Sequence, residues 1–512
     1  MHDIQSVVLL VLAAAILVRL ADVAHVPAPI VLVLGGLGIA LVPGLPAPQV
    51  SPEVVLFVFL PPLVHAAGWN ASPQDQRTAI RPLAILVIGL VFATAAAIAV
   101  VAHELVGLGW AASVALGGAL APTDPVAAQA TFRRLGAPDR LRLLVEGESM
   151  LNDATGLVVY RIAVGAAAGS SVSAADAVLR FVGNSAGGVA VGLAAGWLVT
   201  AVVRRQDDAA LVTVLTVLGA YGSYIGAEQL HASGVLAAVV TGIYTGWQSP
   251  RALDADTRLS TQAFWRVGVF ALEISLFVLL GLELPTIVDS LRDADTSLGA
   301  LVGPAAAVLG ATLAVRMAFV FAMGRDAGDT AGERFALGWS GMRGAVSLAA
   351  ALAIPLDVAG RSEIVVIAFA LILATLVVQG LTLPPIVRAL RLEEPRRWSD
   401  EEAIARMEAA QAAIDRIGDL ADEEIADERA LGRLREAYER RLRICQAVLG
   451  GREDGAAAHA EARAADYAQL RRDLIGVERS TLLDLRSAGR LSQATLRLIV
   501  RDLDLEEARL SR

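Results

Sequence analysis

Along the first 390 or so positions, long apolar runs alternate with short polar or Gly/Pro-rich breaks. The runs fall at 4–20, 28–45, 50–66, 82–103, 111–132, 141–167, 174–203, 209–229, 234–247, 260–285, 297–323, 332–354 and 362–388. Most are close to the ~20 residues that cross a bilayer as a helix. The pattern predicts an all-α polytopic membrane protein with about thirteen spans, of which 234–247 is short. The first run reads as a span rather than a secretory leader: Asp3 stands where a leader is basic, and Arg19 follows the apolar stretch.

Arginine placement tests that count independently. One alternate set of loops holds twelve arginines: 77, 81, 133, 134, 140, 142, 204, 205, 251, 258, 325 and 334. The opposite set holds two, Arg292 and Arg361. Positive loops face the cytoplasm, so the N-terminus is expected outside and the C-terminal tail inside a plasma membrane. Six spans, a linker and six more would make two repeats of opposite orientation, as in many secondary transporters.

Beyond residue 392 the chain changes character. Residues 393–512 carry 47 charges in 120 positions, against 48 in the 392 before them. A membrane domain over 1–392 and a charged helical domain over 393–512 are expected. The tail reads as helices over 399–450 and 458–510, the first opened by a Ser399–Glu402 capping box. Leu431, Leu434, Tyr438, Leu442 and Cys445 recur at helical spacing as one buried face. A net charge of −9 gives no reason to expect a nucleic-acid partner. All 43 basic residues are arginine, which excludes any mechanism that needs a titrating lysine. The single cysteine, Cys445, excludes a disulfide framework. No cofactor motif is seen, and no enzymatic activity is expected.

Ionisable groups inside spans are costly, about 2.5–3.5 kcal/mol each on insertion scales, and are functional candidates by default. Asp124 lies in Pro122-Thr123-Asp124-Pro125. Two prolines three apart should break the fifth span at mid-membrane, where loose backbone survives only if it lines a cavity or is buried in protein. There Asp124 can cap the second half-helix, serve as an oxygen ligand with the Thr123 carbonyl, or do both. In the sixth span, Ser149 and Asp153 share a helix face, as do Glu148 and Asn152. Glu148 and Asp153 diverge by roughly 140° and so have different tasks. Low dielectric disfavours an uncompensated carboxylate. Asp153 is therefore either protonated or cation-bound, the physical minimum for exchanging one for the other. In the twelfth span, Gly341 and Gly344 flank Arg343; its permanent charge needs a partner, and Glu148 is expected to supply it as a structural ion pair. Glu273 in the tenth span is either ion-paired, with Arg266 or Arg316, or a second titrating group.

These segments resemble the monovalent cation:proton antiporter-1 family, the sodium/proton exchangers, in its bacterial form. The segments are Phe59-Leu60-Pro61-Pro62-Leu63, Pro122-Thr123-Asp124-Pro125-Val126, Glu148-Ser149-Met150-Leu151-Asn152-Asp153, Gly281-Leu282-Glu283-Leu284, Gly341-Met342-Arg343-Gly344-Ala345-Val346-Ser347 and Gln379-Gly380-Leu381-Thr382-Leu383-Pro384. The resemblance implies a homodimer with a six-helix core crossed by two broken helices and an elevator-like cycle. It implies that Asp153 carries Na+ or H+, with Asp124, Ser149, Thr123 and Asn152 at the cation site and Glu148 paired with Arg343. The Asn152-Asp153 pair is similar to that of electroneutral one-for-one exchangers. One departure stands out. Some members have an acid shortly after the Leu-Pro-Pro-Leu segment, where this chain reads Val64-His65-Ala66-Ala67. His65 is then either a hydrogen-bonded helix residue or a pH-sensitive group.

The leading expectation is Na+/H+ antiport, extending to Li+, with K+/H+ or mixed-cation antiport through the same site as the alternative. An intramembrane aspartyl protease should carry Gly-x-Gly-Asp in a span, and no such string occurs. A channel would pass current with no obligatory proton counterflow.

Overall fold

The computed structural model describes residues 12–21, 23, 26, 28–42, 52–71, 79–167, 174–283, 285, 298–355, 358–392, 400–422, 427–450, 456–487, 490, 495–496, 499–500, 503 and 506–507. Among these every regular element is helical, as the run lengths predict. Residues Met1–Glu394 and Pro395–Arg512 form two compact units.

The first unit contains α1 (Leu12–Ala21), α2 (Ala28–Ala40), α3 (Pro52–Asn70), α4 (Ile80–Val106), α5 (Trp110–Leu120), α6 (Val126–Leu135) and α7 (Asp139–Ala167). It continues with α8 (Ala174–Val203), α9 (Ala209–Gln229), α10 (Gly234–Ala252), α11 (Ala255–Leu282), α12 (Leu298–Met323), α13 (Ala331–Trp339), α14 (Ala345–Leu352) and α15 (Arg361–Ala389). Among the described residues six stretches are long and apolar enough to cross a bilayer: α4, most of α8, α9, most of α11, the α12 stretch and α15. The short apolar run at 234–247 is part of a 19-residue helix. Asp208, Ser233, Asp254 and Thr330 accept hydrogen bonds from first-turn amides and so start α9, α10, α11 and α13.

Two apolar runs are interrupted, and both interruptions follow from composition. Run 111–132 is split into α5 and α6 around Pro122 and Pro125. Run 332–354 is split into α13 and α14 around the segment Ser340–Gly344. α4 and α15 each contain a π-turn, Ile85–Leu90 and Thr375–Gln379, a local widening that recurs at functional sites.

The helices of this unit pack in two groups. α4 packs on α5 and α12, α5 on α7 and α14, α6 on α7, and α15 on α12 and α14. The second group joins α3, α8 and α9 to α10, and α11 to α2, α3 and α9. Contacts between the groups run through α7 to α3, α8 and α10, through α14 to α3 and α11, and through the π-turn of α15 to α2. The first group, called the core below, contains both interrupted runs. The second is called the scaffold.

In the second unit the stretch expected as one helix over 399–450 is two, α16 (Asp400–Asp422) and α17 (Glu428–Gly450), packed on each other. Asp427 is the reason for the restart: its carboxylate accepts from the Ala430 amide and caps α17. Ser399, and with it the expected capping box, lies outside the described residues. Leu431 and Cys445 are buried as the spacing suggests, but Leu434 is half exposed and falls off that face. α18 (Ala456–Ser487) is tied to the chain's end by Arg471–Glu506 and Arg479–Glu507 pairs, both at 2.7 Å.

Candidate functional site

The two interruptions meet. The Asp124 amide donates to the Met342 carbonyl at 2.8 Å, so the unwound segments lock backbone to backbone. Each interruption leaves a half-helix end whose carbonyls or amides lack helical partners. Arg343 serves the carbonyls: its Nε donates to Leu120 O at the end of α5 at 2.6 Å, and its Nη1 to Gly341 O at 2.8 Å. Its own amide donates to Thr375 Oγ1 at 3.1 Å. Asp124 serves the opposite ends. One carboxylate oxygen accepts from the Val126 amide at 2.9 Å and caps α6. The other lies so close to Gly344, the N-cap of α14, that a Cβ there would run into it. Positive charge thus sits at half-helix C-termini and negative charge at N-termini, the favourable arrangement for both dipoles.

Thr123 ties this crossing to α7. Its Oγ1 accepts from Asn152 Nδ2 at 2.8 Å and lies 3.2 Å from both Glu148 Oε1 and Ser149 Oγ. Glu148, Ser149 and Asn152, which spacing assigns to two faces of α7, all converge on it. Asn152 is buried, and its Oδ1 has no partner among the described residues. A buried carbonyl oxygen without a donor is costly, and it suits a cation or a bound proton donor.

Glu148 differs from expectation. Its carboxylate is paired with Arg316 on α12, Nη1 to Oε1 and Nη2 to Oε2, the latter at 3.0 Å, with both side chains at most 3% exposed. The expected Glu148–Arg343 pair is therefore replaced by Glu148–Arg316. Arg343 is satisfied by backbone carbonyls instead. Arg316 also donates from Nε to Gly338 O at 3.1 Å and from Nη2 to Leu337 O at 3.0 Å, so it caps α13 as well. Depth along the spans points to Arg343 as the partner of Glu148 and offers Arg316 only to Glu273.

Asp153 is half-buried, and its carboxylate makes no hydrogen bond or ion pair among the described residues. It lies within electrostatic reach of Asp124, itself half-buried. Two carboxylates near one another, one capping a helix and one uncommitted, make a place for a single positive charge.

Residues 7–389 match the sodium/hydrogen exchanger transmembrane family. The chain belongs to that family. An uncharacterised Na+/H+ exchanger of Mycobacterium tuberculosis is 33% identical over 98% of this chain and 96% of its own. The low-affinity Na+/H+ antiporter NhaS1 of Synechocystis is 31% identical over 93% and 90%. The Na+/H+ antiporter ApNhaP of Aphanothece halophytica is 29% identical over 91% and 89%. The fold is similar to that of the sodium proton antiporter MjNhaP1 from Methanocaldococcus jannaschii at pH 8, with TM-score 0.61, 18% identity, and 77% of this chain covering all of that one.

In this exchanger the two remaining candidates have distinct surroundings. Glu273 on α11 is half-buried and has no ion-pair partner among the described residues. Arg316 is engaged by Glu148 and Arg266 is exposed, so neither expected pairing is present. The charges within electrostatic reach of Glu273 are those of Asp124 and Arg133. His65 on α3 is fully buried, with its ring 5.2 Å from that of Trp265 and 6.4 Å from that of Trp69. Neither ring nitrogen makes a well-formed hydrogen bond among the described residues, and the backbone of Ala238 is the polar group that acts on the ring. Arg316 is the residue whose role sequence reasoning missed. It lies inside the eleventh run, a costly place for a guanidinium and the signal that could have found it, but nothing local identifies the carboxylate it meets.

Proposed function

We propose that this exchanger is a secondary active antiporter moving Na+, and Li+ as its small analogue, against H+ across the plasma membrane. The observation that carries this reading is the uncommitted, half-buried Asp153 carboxylate beside the crossing of two interrupted helices. A desolvated alkali cation needs hard oxygens. Asp153, Asp124, Ser149, the Thr123 backbone and Asn152 Oδ1 supply them. With a proton or Na+ on Asp153, the site carries the same net charge, so both halves of a one-for-one cycle move equal charge and the exchange is electroneutral. Glu148 and Arg343 act structurally, and Glu273, within electrostatic reach of Asp124, is a second titrating group. His65 is a secondary candidate, set in the aromatic slot of α3.

The cycle is alternating access, with core moving against scaffold. Thirteen spans, inverted repeats, a homodimer, an external N-terminus and a cytoplasmic tail complete the proposal, supported by run lengths, arginine placement and family membership. K+/H+ or mixed-cation exchange is the second reading. It is favoured by one observation: the stretch Val64-His65-Ala66-Ala67 lacks an acid, and fewer anionic ligands favour the less strongly hydrated ion.

The test is pH-gradient dissipation in proteoliposomes with Na+, Li+ and K+ compared at equal concentration. Na+ and Li+ should each dissipate the gradient without a membrane potential developing. Dissipation by K+ alone would overturn the Na+ assignment in favour of the second reading. Dissipation by none of them would overturn both.

A further inference from the structure

Past Asp153, α7 turns two apolar residues and then a charge toward the scaffold. Leu157 and Tyr160 join Met150, Leu60 and Val64 of α3, and Val239 of α10 in one buried apolar cluster. Arg161 follows at its edge. Its Nη1 donates to Glu228 Oε1 at 2.8 Å and lies 2.7 Å from Oε2. Glu228, at the end of α9, also accepts from the Gly234 amide at 3.1 Å, the first residue of α10. A carboxylate at a helix N-terminus is favoured by the dipole. Gly234 has the required absence of a side chain, because a Cβ would press on Glu228 Oε1 and the Tyr224 ring. Glu228 is thus fixed by two scaffold helices, while Arg161 rides on the core helix that carries Asp153.

The surroundings of Asp153 differ between the two ends of α7. Toward the arginine-rich end, Asp124, Val126 and Gln129 on α6 are half-buried, and Arg133 is exposed. Toward the other end the apolar cluster closes the core–scaffold seam, and the Arg161–Glu228 pair lies at its rim.

We propose that Arg161 and Glu228 are positioning residues that latch core to scaffold, holding Asp153 open to the arginine-rich side. The latch must part before Asp153 can face the opposite side. This inference rests on the alternating-access reading. A contact made in only one of two states shifts the equilibrium by its differential free energy. The pair is partly exposed, with side chains 43% and 30% accessible, so its weight is discounted toward that of surface pairs.

The test uses a reporter cysteine. Cys445 is the only native cysteine, so Cys445→Ser gives a blank background for Val64→Cys, whose side chain lies inside the closed cluster. Labelling of the purified full-length protein by a charged maleimide reads how often the seam opens. Glu228→Gln and Arg161→Gln should each speed labelling about three- to tenfold. Unchanged labelling would overturn the latch. An equal rise at Ala128→Cys, buried in α6 within the core, would reveal general loosening and would also overturn it. Exchange by the latch-intact protein is read separately in proteoliposomes. Its absence there would sink the alternating-access reading rather than the latch alone.

Discussion

Exchange by the Asp153→Asn protein is expected to fall about a hundredfold or more, since one anionic contact in a low-dielectric site amounts to several kcal/mol. The fold should survive. The Asp153 carboxylate makes no hydrogen bond or ion pair among the described residues, so the amide breaks nothing the helix depends on. Removing an uncompensated negative charge beside Asp124 also relieves repulsion. The measurement is Na+-driven proton movement in proteoliposomes beside a thermal unfolding curve in detergent. Loss of exchange with an unchanged or higher midpoint is the expected pair of results. Retained exchange would remove Asp153 from the transport step.

A comparable loss, in stability rather than transport, is expected for Arg316→Met. It leaves the Glu148 carboxylate buried against Thr123 with its cation gone, and breaking one side of a buried pair costs about 3–5 kcal/mol. It also strips donors from the Leu337 and Gly338 carbonyls at the end of α13. Glu148→Gln in the same chain should recover part of the loss, because the orphaned charge disappears with its partner. A double-mutant cycle on unfolding midpoints measures that coupling. It should be larger for Glu148 with Arg316 than for Glu148 with Arg343. The reverse order would mean that Arg343 is the energetically relevant partner.

The contrast between those two arginines marks what was legible in the sequence. The first broken helix was readable because its cause is local, Pro122 and Pro125. The glycines of the second, Gly341 and Gly344, allowed either close helix approach or a break, and the resemblance to the family supplied the choice. Spacing places Ser149 with Asp153 and Glu148 with Asn152 on two separate faces of one helix. That Thr123 meets Glu148, Ser149 and Asn152 together depends on how the broken span packs on α7. Arginine pairing was not readable either, since it depends on how α12 leans against α7, which no periodicity encodes. The same holds for Glu273, whose nearest charges, Asp124 and Arg133, come from helix packing across the core–scaffold seam. In the tail, a continuous helical pattern over 399–450 concealed a restart that Asp427 makes by capping.

Gly344 shows how tightly the crossing is built. The Asp124 carboxylate occupies the space a side chain would need, so the start of α14 sits directly against the anion that caps α6 through Val126. Asp153 is the carboxylate with nothing to hold.

The most direct measurement is proton release on Na+ addition to the purified protein in weakly buffered detergent solution, followed with a pH dye. One proton should leave for each Na+ bound, and none from the Asp153→Asn protein. Sodium binding with no proton displaced from the wild-type chain would contradict a single carboxylate shared in turn by the two ions.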